Sequence, residues 1–169
     1  MAIAKIIAQR GTCSRLQVGA IISRGGRVIS TGYNGAPSGL PHCNHDNDPP
    51  IGIISSIPIE FSPATRNILP GRIMEIPDIT YTYIPSTGCK VAEHAERNAI
   101  AFAARYGLAL EGAEIHTTHS PCLDCARSII NAGLTRVTFE IAYRLTDGVE
   151  LLKQAGLEVV DMGNNEMVR

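Results

Sequence analysis

Tryptophan is absent, aromatic residues make up 5% of the chain, and 15 lysines and arginines face 16 acidic residues, a formal net charge of −1. So balanced a charge exerts no long-range pull on a polyanion, and so few rings leave little to stack on a single strand. Nucleic acid is therefore not an expected partner. No apolar run approaches the roughly 18 residues of a membrane span, so no membrane partner is expected either. The opening M-A-I-A-K-I-I-A-Q-R-G is interrupted by charge too early for a secretion signal. A reducing, cytoplasmic setting is the expectation. In that setting five cysteines, an odd count, point to metal ligands or free thiols rather than disulfides.

What is present fits one globular domain spanning 1–169, since 169 residues with 44% hydrophobic content can bury a sizeable core. A short helix is expected near Ile3 to Gln9. Two β-rich runs around Gly25 and Gly26, Val18 to Ser23 and Val28 to Gly32, read as a hairpin. Nine of the ten prolines then fall between Pro37 and Pro85, and such density cuts helices and central strands short. An irregular insertion at about 46–88 is expected, with a short strand near Ile79 to Ile84. Beyond Lys90 helix and strand alternate: helix Glu93 to Tyr106, strand Glu114 to Thr118, helix Pro121 to Asn131, strand Arg136 to Glu140, helix Asp147 to Ala155, strand Leu157 to Asp161. Asp147 and Glu150 suit a capping box, and Gly133 and Gly156 stand where helices stop. Strands spaced by helices imply an α/β sheet covered on both faces.

Two motifs carry chemistry. In P-C-L-D-C, Cys122 and Cys125 share one face of a first helical turn, with Ser120 suited to the N-cap and Pro121 to the first helical position. The positive end of the helix dipole favours the thiolates that zinc needs. In H-A-E-R-N-A-I, His94 and Glu96 are separated by roughly 200° of helical rotation, so both reach one point only just off the helix end. That suits a histidine ligand beside a carboxylate that is not itself a ligand. A zinc ion with three protein ligands and a fourth position open to water is the catalytic arrangement. Each motif alone has an ordinary explanation, as buried thiols or a redox pair and as a helix cap. In this order on consecutive βα units they match the zinc-deaminase pattern H-x-E followed by P-C-x-x-C.

The chain resembles the cytidine and deoxycytidylate deaminase superfamily, and within it the deoxycytidylate (dCMP) deaminases. The resemblance rests on T-C-S-R-L-Q-V-G-A, S-T-G-Y-N-G-A-P-S-G from Ser30, H-A-E-R-N-A-I, T-H-S-P-C-L-D-C, and A-Y-R at Ala142 to Arg144. It implies a three-layer α/β/α sandwich with a mixed five-stranded sheet and a homo-oligomer, often a hexamer. It also implies one catalytic Zn2+ per chain held by His94, Cys122 and Cys125, with Glu96 shuttling the proton as dCMP becomes dUMP and ammonia, a source of dUMP for thymidylate synthesis. Around the nucleotide it places Asn34, Gly35, Ser38, Ser120, Tyr143 and Arg144; a guanidinium fork with a glycine-rich loop suits a phosphate.

The same resemblance implies a second, structural Zn2+ from Cys13, Cys43 and Cys89 with His45, or His42 in its place. It further implies dCTP and dTTP as effectors, with Mg2+ accompanying only such a triphosphate. Two rivals stand beside this reading: a deaminase of 5-methyl-dCMP, dCTP, a nucleoside or another base, and a zinc-stapled binding module without catalysis. The second has no use for Glu96.

Overall fold

In the computed structural model, residues 1–42, 89, 91–143, 146–163 and 166–168 are described. The insertion at 46–88, the strand expected at Ile79 to Ile84, and Cys43, His45 and Arg144 lie outside the described residues. The elements are α1 (Ala2–Ala8), β1 (Gly19–Arg24), β2 (Arg27–Tyr33), α2 (Ala95–Arg105), β3 (Glu114–His119), α3 (Leu123–Asn131), β4 (Arg136–Ile141), α4 (Asp147–Gln154), β5 (Glu158–Asp161) and β6 (Glu166–Val168). The sheet runs β2-β1-β3-β4-β5-β6. The β1–β2, β1–β3 and β5–β6 pairs are antiparallel, while β3–β4 and β4–β5 are parallel. The five expected strands are thus present in a mixed sheet, and a three-residue β6 extends it at the β5 edge. So short a run carries no periodicity to read.

Register explains the layers. Ala20 stands opposite Gly32, so the neighbouring Gly19 points to the other face. A β-carbon on Gly19 would strike the backbone of Ala4 and Ala8, placing α1 on that face. One on Gly32 would strike Ala95 and Ala99, placing α2 on the opposite face. These two glycines are small so that helix backbones can lie directly on the sheet. On the α2 side, Ile22, Ile115, Val137 and Val159 line up across β1, β3, β4 and β5, each 2% exposed or less. Ala95, Ala99 and Ala103 of α2, Ala126 and Ile129 of α3, and Leu152 of α4 close over this row to form the core. Each large aliphatic chain buried there contributes roughly 1.5–3 kcal/mol.

Three helix starts differ from expectation: α2 begins at Ala95 with His94 as its N-cap, not at Glu93. α3 starts at Leu123 with Cys122 as its N-cap, not at Pro121 with Ser120 capping. α4 is capped by Thr146, not Asp147, and the Thr146 hydroxyl donates to Glu150 at 3.2 Å. The last two do stop as expected, with Gly133 (φ 73°) and Gly156 (φ 82°) just past their C-caps. No helix among the described residues is long and apolar enough to cross a membrane.

Candidate active site

Two helix starts meet at the site. Gly35 and Glu93 exchange backbone hydrogen bonds of 3.1 and 2.9 Å, ending the β2 extension and placing the N-cap of α2 one residue later. α2 is fixed to β2 by Ser30 Oγ donating to the Ala99 carbonyl (2.6 Å) and Asn98 Nδ2 donating to the Tyr33 carbonyl (2.8 Å). His94 is the N-cap, with extended backbone (φ −78°, ψ 150°), and its side chain caps nothing. That frees the imidazole to turn away from its own helix. Nδ1 lies 3.5 Å from Cys122 Sγ and 3.4 Å from Cys125 Sγ.

Tetrahedral zinc with bonds of about 2.3 Å to sulfur and about 2.0–2.1 Å to nitrogen sets neighbouring donors about 3.5 Å apart. The three donor atoms, all within 4.8 Å of one another, therefore fit a zinc ion. Among the described residues they form one group with this capacity. Two sulfurs and an imidazole are also the donor chemistry that zinc favours.

The electrostatics point the same way. A hydrogen bond from the Cys125 thiol, helped by His94 and opposed by burial, pulls Cys122 down to about 3. The reciprocal hydrogen bond, with burial and the Glu96 charge, pushes Cys125 far up. A bound cation would displace the thiol protons of the pair. Glu96 sits in the first turn of α2, 4% exposed, and burial raises its carboxyl above the usual range. A raised carboxyl holds its proton more readily than an exposed one, which suits a group that must take a proton and give it back.

The nucleotide residues expected from sequence are placed as follows. Gly35 is buried and Ser38 exposed on the loop after β2. Asn34 is buried, and its amide is committed to the backbone: Oδ1 accepts from Val18 N–H at 2.8 Å and Nδ2 donates to the Leu16 carbonyl at 2.7 Å. Ser120 is buried, its Oγ accepting the Tyr143 N–H at 2.7 Å. Cys13 is buried and Cys89 half-buried, the latter's sulfur accepting the Ala92 N–H at 3.2 Å. His42 is exposed. Sequence reasoning took Glu93 as the first residue of a helix; instead its Oε1 accepts the His94 N–H at 2.9 Å and pairs with Arg97 at 2.7 Å. The spacing of Glu93 and Arg97 at i, i+4 was the available signal.

Residues 1–141 match the family described as cytidine and deoxycytidylate deaminase zinc-binding region. The deoxycytidylate deaminase of Enterobacteria phage T2 is 33% identical over 173 residues, covering 95% of this chain and 88% of that protein. ComE operon protein 2 of Bacillus subtilis strain 168 is 34% identical over 169 residues, covering 99% and 71%. Among solved structures, the dCMP deaminase of cyanophage S-TIM5 in complex with dCMP and dUMP superposes with a TM-score of 0.67 at 29% identity, covering 95% of this chain and 92% of that one. A matched donor triangle, a buried acid beside it and these likenesses converge, and the chain belongs to the zinc-binding cytidine and deoxycytidylate deaminase family.

Proposed function

We propose that the protein is a zinc-dependent hydrolase converting dCMP to dUMP and ammonia, with His94, Cys122 and Cys125 as the metal ligands and Glu96 as the proton carrier. The observation that carries this reading is a donor triangle of zinc dimensions with the buried Glu96 carboxyl two residues along the chain from its histidine corner. Zinc bound there supplies Lewis-acid activation of a water molecule. Glu96 takes one proton from the attacking water and delivers it to N3 of the cytosine ring, then takes the second from the hydroxyl added at C4 and passes it to the exocyclic amine, so that the C4–N bond breaks, the C4 carbonyl forms and ammonia leaves. Its burial favours each return of the proton to the carboxyl.

Substrate contacts follow from the loops that flank this centre. Ser120 lies two residues before Cys122 and holds the Tyr143 amide, which supports Tyr143 and Arg144 at the sugar and phosphate. Gly35 and Ser38 supply the facing loop. Asn34 acts by bracing that loop against residues 16–18. Cys13, Cys43 and Cys89, with His45 or His42, are proposed to hold a second, structural zinc. This is supported by three hydrogen bonds, Thr12 N–H to the Asn34 carbonyl (3.0 Å) and the mutual Gly35–Glu93 pair, which draw the segments next to Cys13 and Cys89 toward one stretch of chain.

The test is ammonia release from dCMP, deoxycytidine, 5-methyl-dCMP and dCTP under one set of conditions. dCMP is expected to be turned over fastest, and Arg144→Ala to lose more activity on dCMP than on deoxycytidine. No release from dCMP alongside turnover of another base or nucleotide sinks the substrate reading.

A further inference from the structure

We infer that Glu93 is a positioning residue that aims the metal-binding histidine, and that Arg97 aims Glu93 in turn. The assignment rests on the deaminase reading only for its effect on turnover. In the usual capping box an acid at the third helical position reaches back to the N-cap amide. Here that position holds Arg97, and the acid lies one residue ahead of the cap. Glu93 Oε1 accepts the His94 N–H at 2.9 Å and receives the Arg97 guanidinium at 2.7 Å. The carboxylate therefore satisfies the His94 N–H, the amide that an acid at the third helical position takes in a capping box.

The backbone of His94 is held on both sides. Its N–H goes to Glu93, and its carbonyl accepts the Asn98 N–H at 2.9 Å. Glu93 is itself anchored, because its own N–H and carbonyl are both bonded to Gly35. With both peptide groups fixed, only side-chain torsions remain to set the Nδ1–sulfur distances. The partners of metal ligands tune metal affinity by about 10–100-fold in general. Glu93 differs from the usual case in gripping the ligand's backbone rather than its second ring nitrogen. Its side chain and that of Arg97 are 39% and 37% exposed, so truncation leaves no cavity and the effect on the metal can be read without a packing defect.

The experiment compares Glu93→Ala, Glu93→Gln and unaltered protein, each loaded with zinc and separately with cobalt. Zinc transfer to a chromogenic chelator and the visible spectrum of the cobalt form are recorded, with folding checked by circular dichroism. The alanine variant is expected to release zinc about 10-fold faster or more, with a shifted cobalt spectrum. The glutamine variant keeps an acceptor oxygen for the His94 N–H and is expected to stay close to the unaltered protein. An alanine variant equal to the unaltered protein in both readouts overturns the assignment, as does equal weakening in both variants. Unaltered protein that holds zinc but releases no ammonia from dCMP sinks the deaminase reading and leaves this one standing.

Discussion

The imidazole Nδ1 of His94 approaches Cys125 Sγ to 3.4 Å although the two belong to different helices. Cys125 is fully buried, so this edge of the donor triangle is built into the core while Cys122 and His94 form its outer rim. Cys125→Ala should therefore abolish stoichiometric zinc binding. The loss should exceed the roughly 10–100-fold weakening that follows removal of a ligand's hydrogen-bond partner. Elemental analysis after gel filtration checks it; a full zinc complement in the variant would refute the ligand assignment.

Glu96→Gln should leave zinc content unchanged and lower kcat for dCMP by about 10²–10⁴-fold, the usual weight of a positioned acid–base group. Steady-state kinetics beside metal analysis separates the roles. If zinc is lost with the activity, Glu96 is holding the metal and not moving protons.

Gly32 touches no substrate-facing group, yet any side chain there meets the backbone of Ala95 and Ala99. Gly32→Ala should lift the first turns of α2 from the sheet, destabilising the fold by about 1–3 kcal/mol and weakening zinc binding as His94 moves with the helix. Urea unfolding followed by zinc titration tests both effects. An unchanged unfolding midpoint would contradict the packing described.

Asn34→Ala removes an acceptor from Val18 N–H and a donor from the Leu16 carbonyl, and should destabilise by about 1–3 kcal/mol. Asn34→Asp keeps the acceptor and loses the donor, so it should fall between. Thermal unfolding ranks the three proteins, and an alanine variant as stable as the parent would show that the loop holds its shape without this brace.

His116 is half-buried on the α1 face of the sheet, its Nε2 3.0 Å from Ser23 Oγ. Burial, aided by the N-terminal amine and Arg136 and opposed by Glu114, lowers its imidazole below the ordinary value of 6.5. The unfolded chain therefore binds this proton more readily than the native one. The resulting stability is complete above the ordinary value and is lost as pH falls through the depressed one. Urea midpoints at about pH 7.5 and about pH 5.5 should differ more for the parent than for His116→Gln. Equal slopes would remove His116 from the pH response.

Much of this was legible in the sequence because the physics is local. H-A-E and P-C-L-D-C each place their groups within one helical turn, and the alternation of apolar runs after Lys90 follows the two periods of helix and strand. The α3 boundary was not legible: Ser120 and Pro121 satisfy every rule for a helix start, but Ser120 is held as acceptor for the distant Tyr143 amide, so the cap passes to Cys122. Nor were the backbone partners of Asn34 legible, because they lie 16 and 18 residues away in sequence. Glu93 was legible only as half of an i, i+4 pair with Arg97; its bond to the His94 N–H from the position before the cap follows no sequence pattern. Contacts between segments, not propensities, decided each of these.

The Gly35–Glu93 pairing has an evolutionary corollary. Gly35 and Glu93 form one mutually bonded doorway in the catalytic frame, and the entropy of closing a chain between two such points grows only slowly with its length. Lineages can thus graft, trim or exchange whatever lies beyond that doorway while the geometry of the metal centre stays heritable.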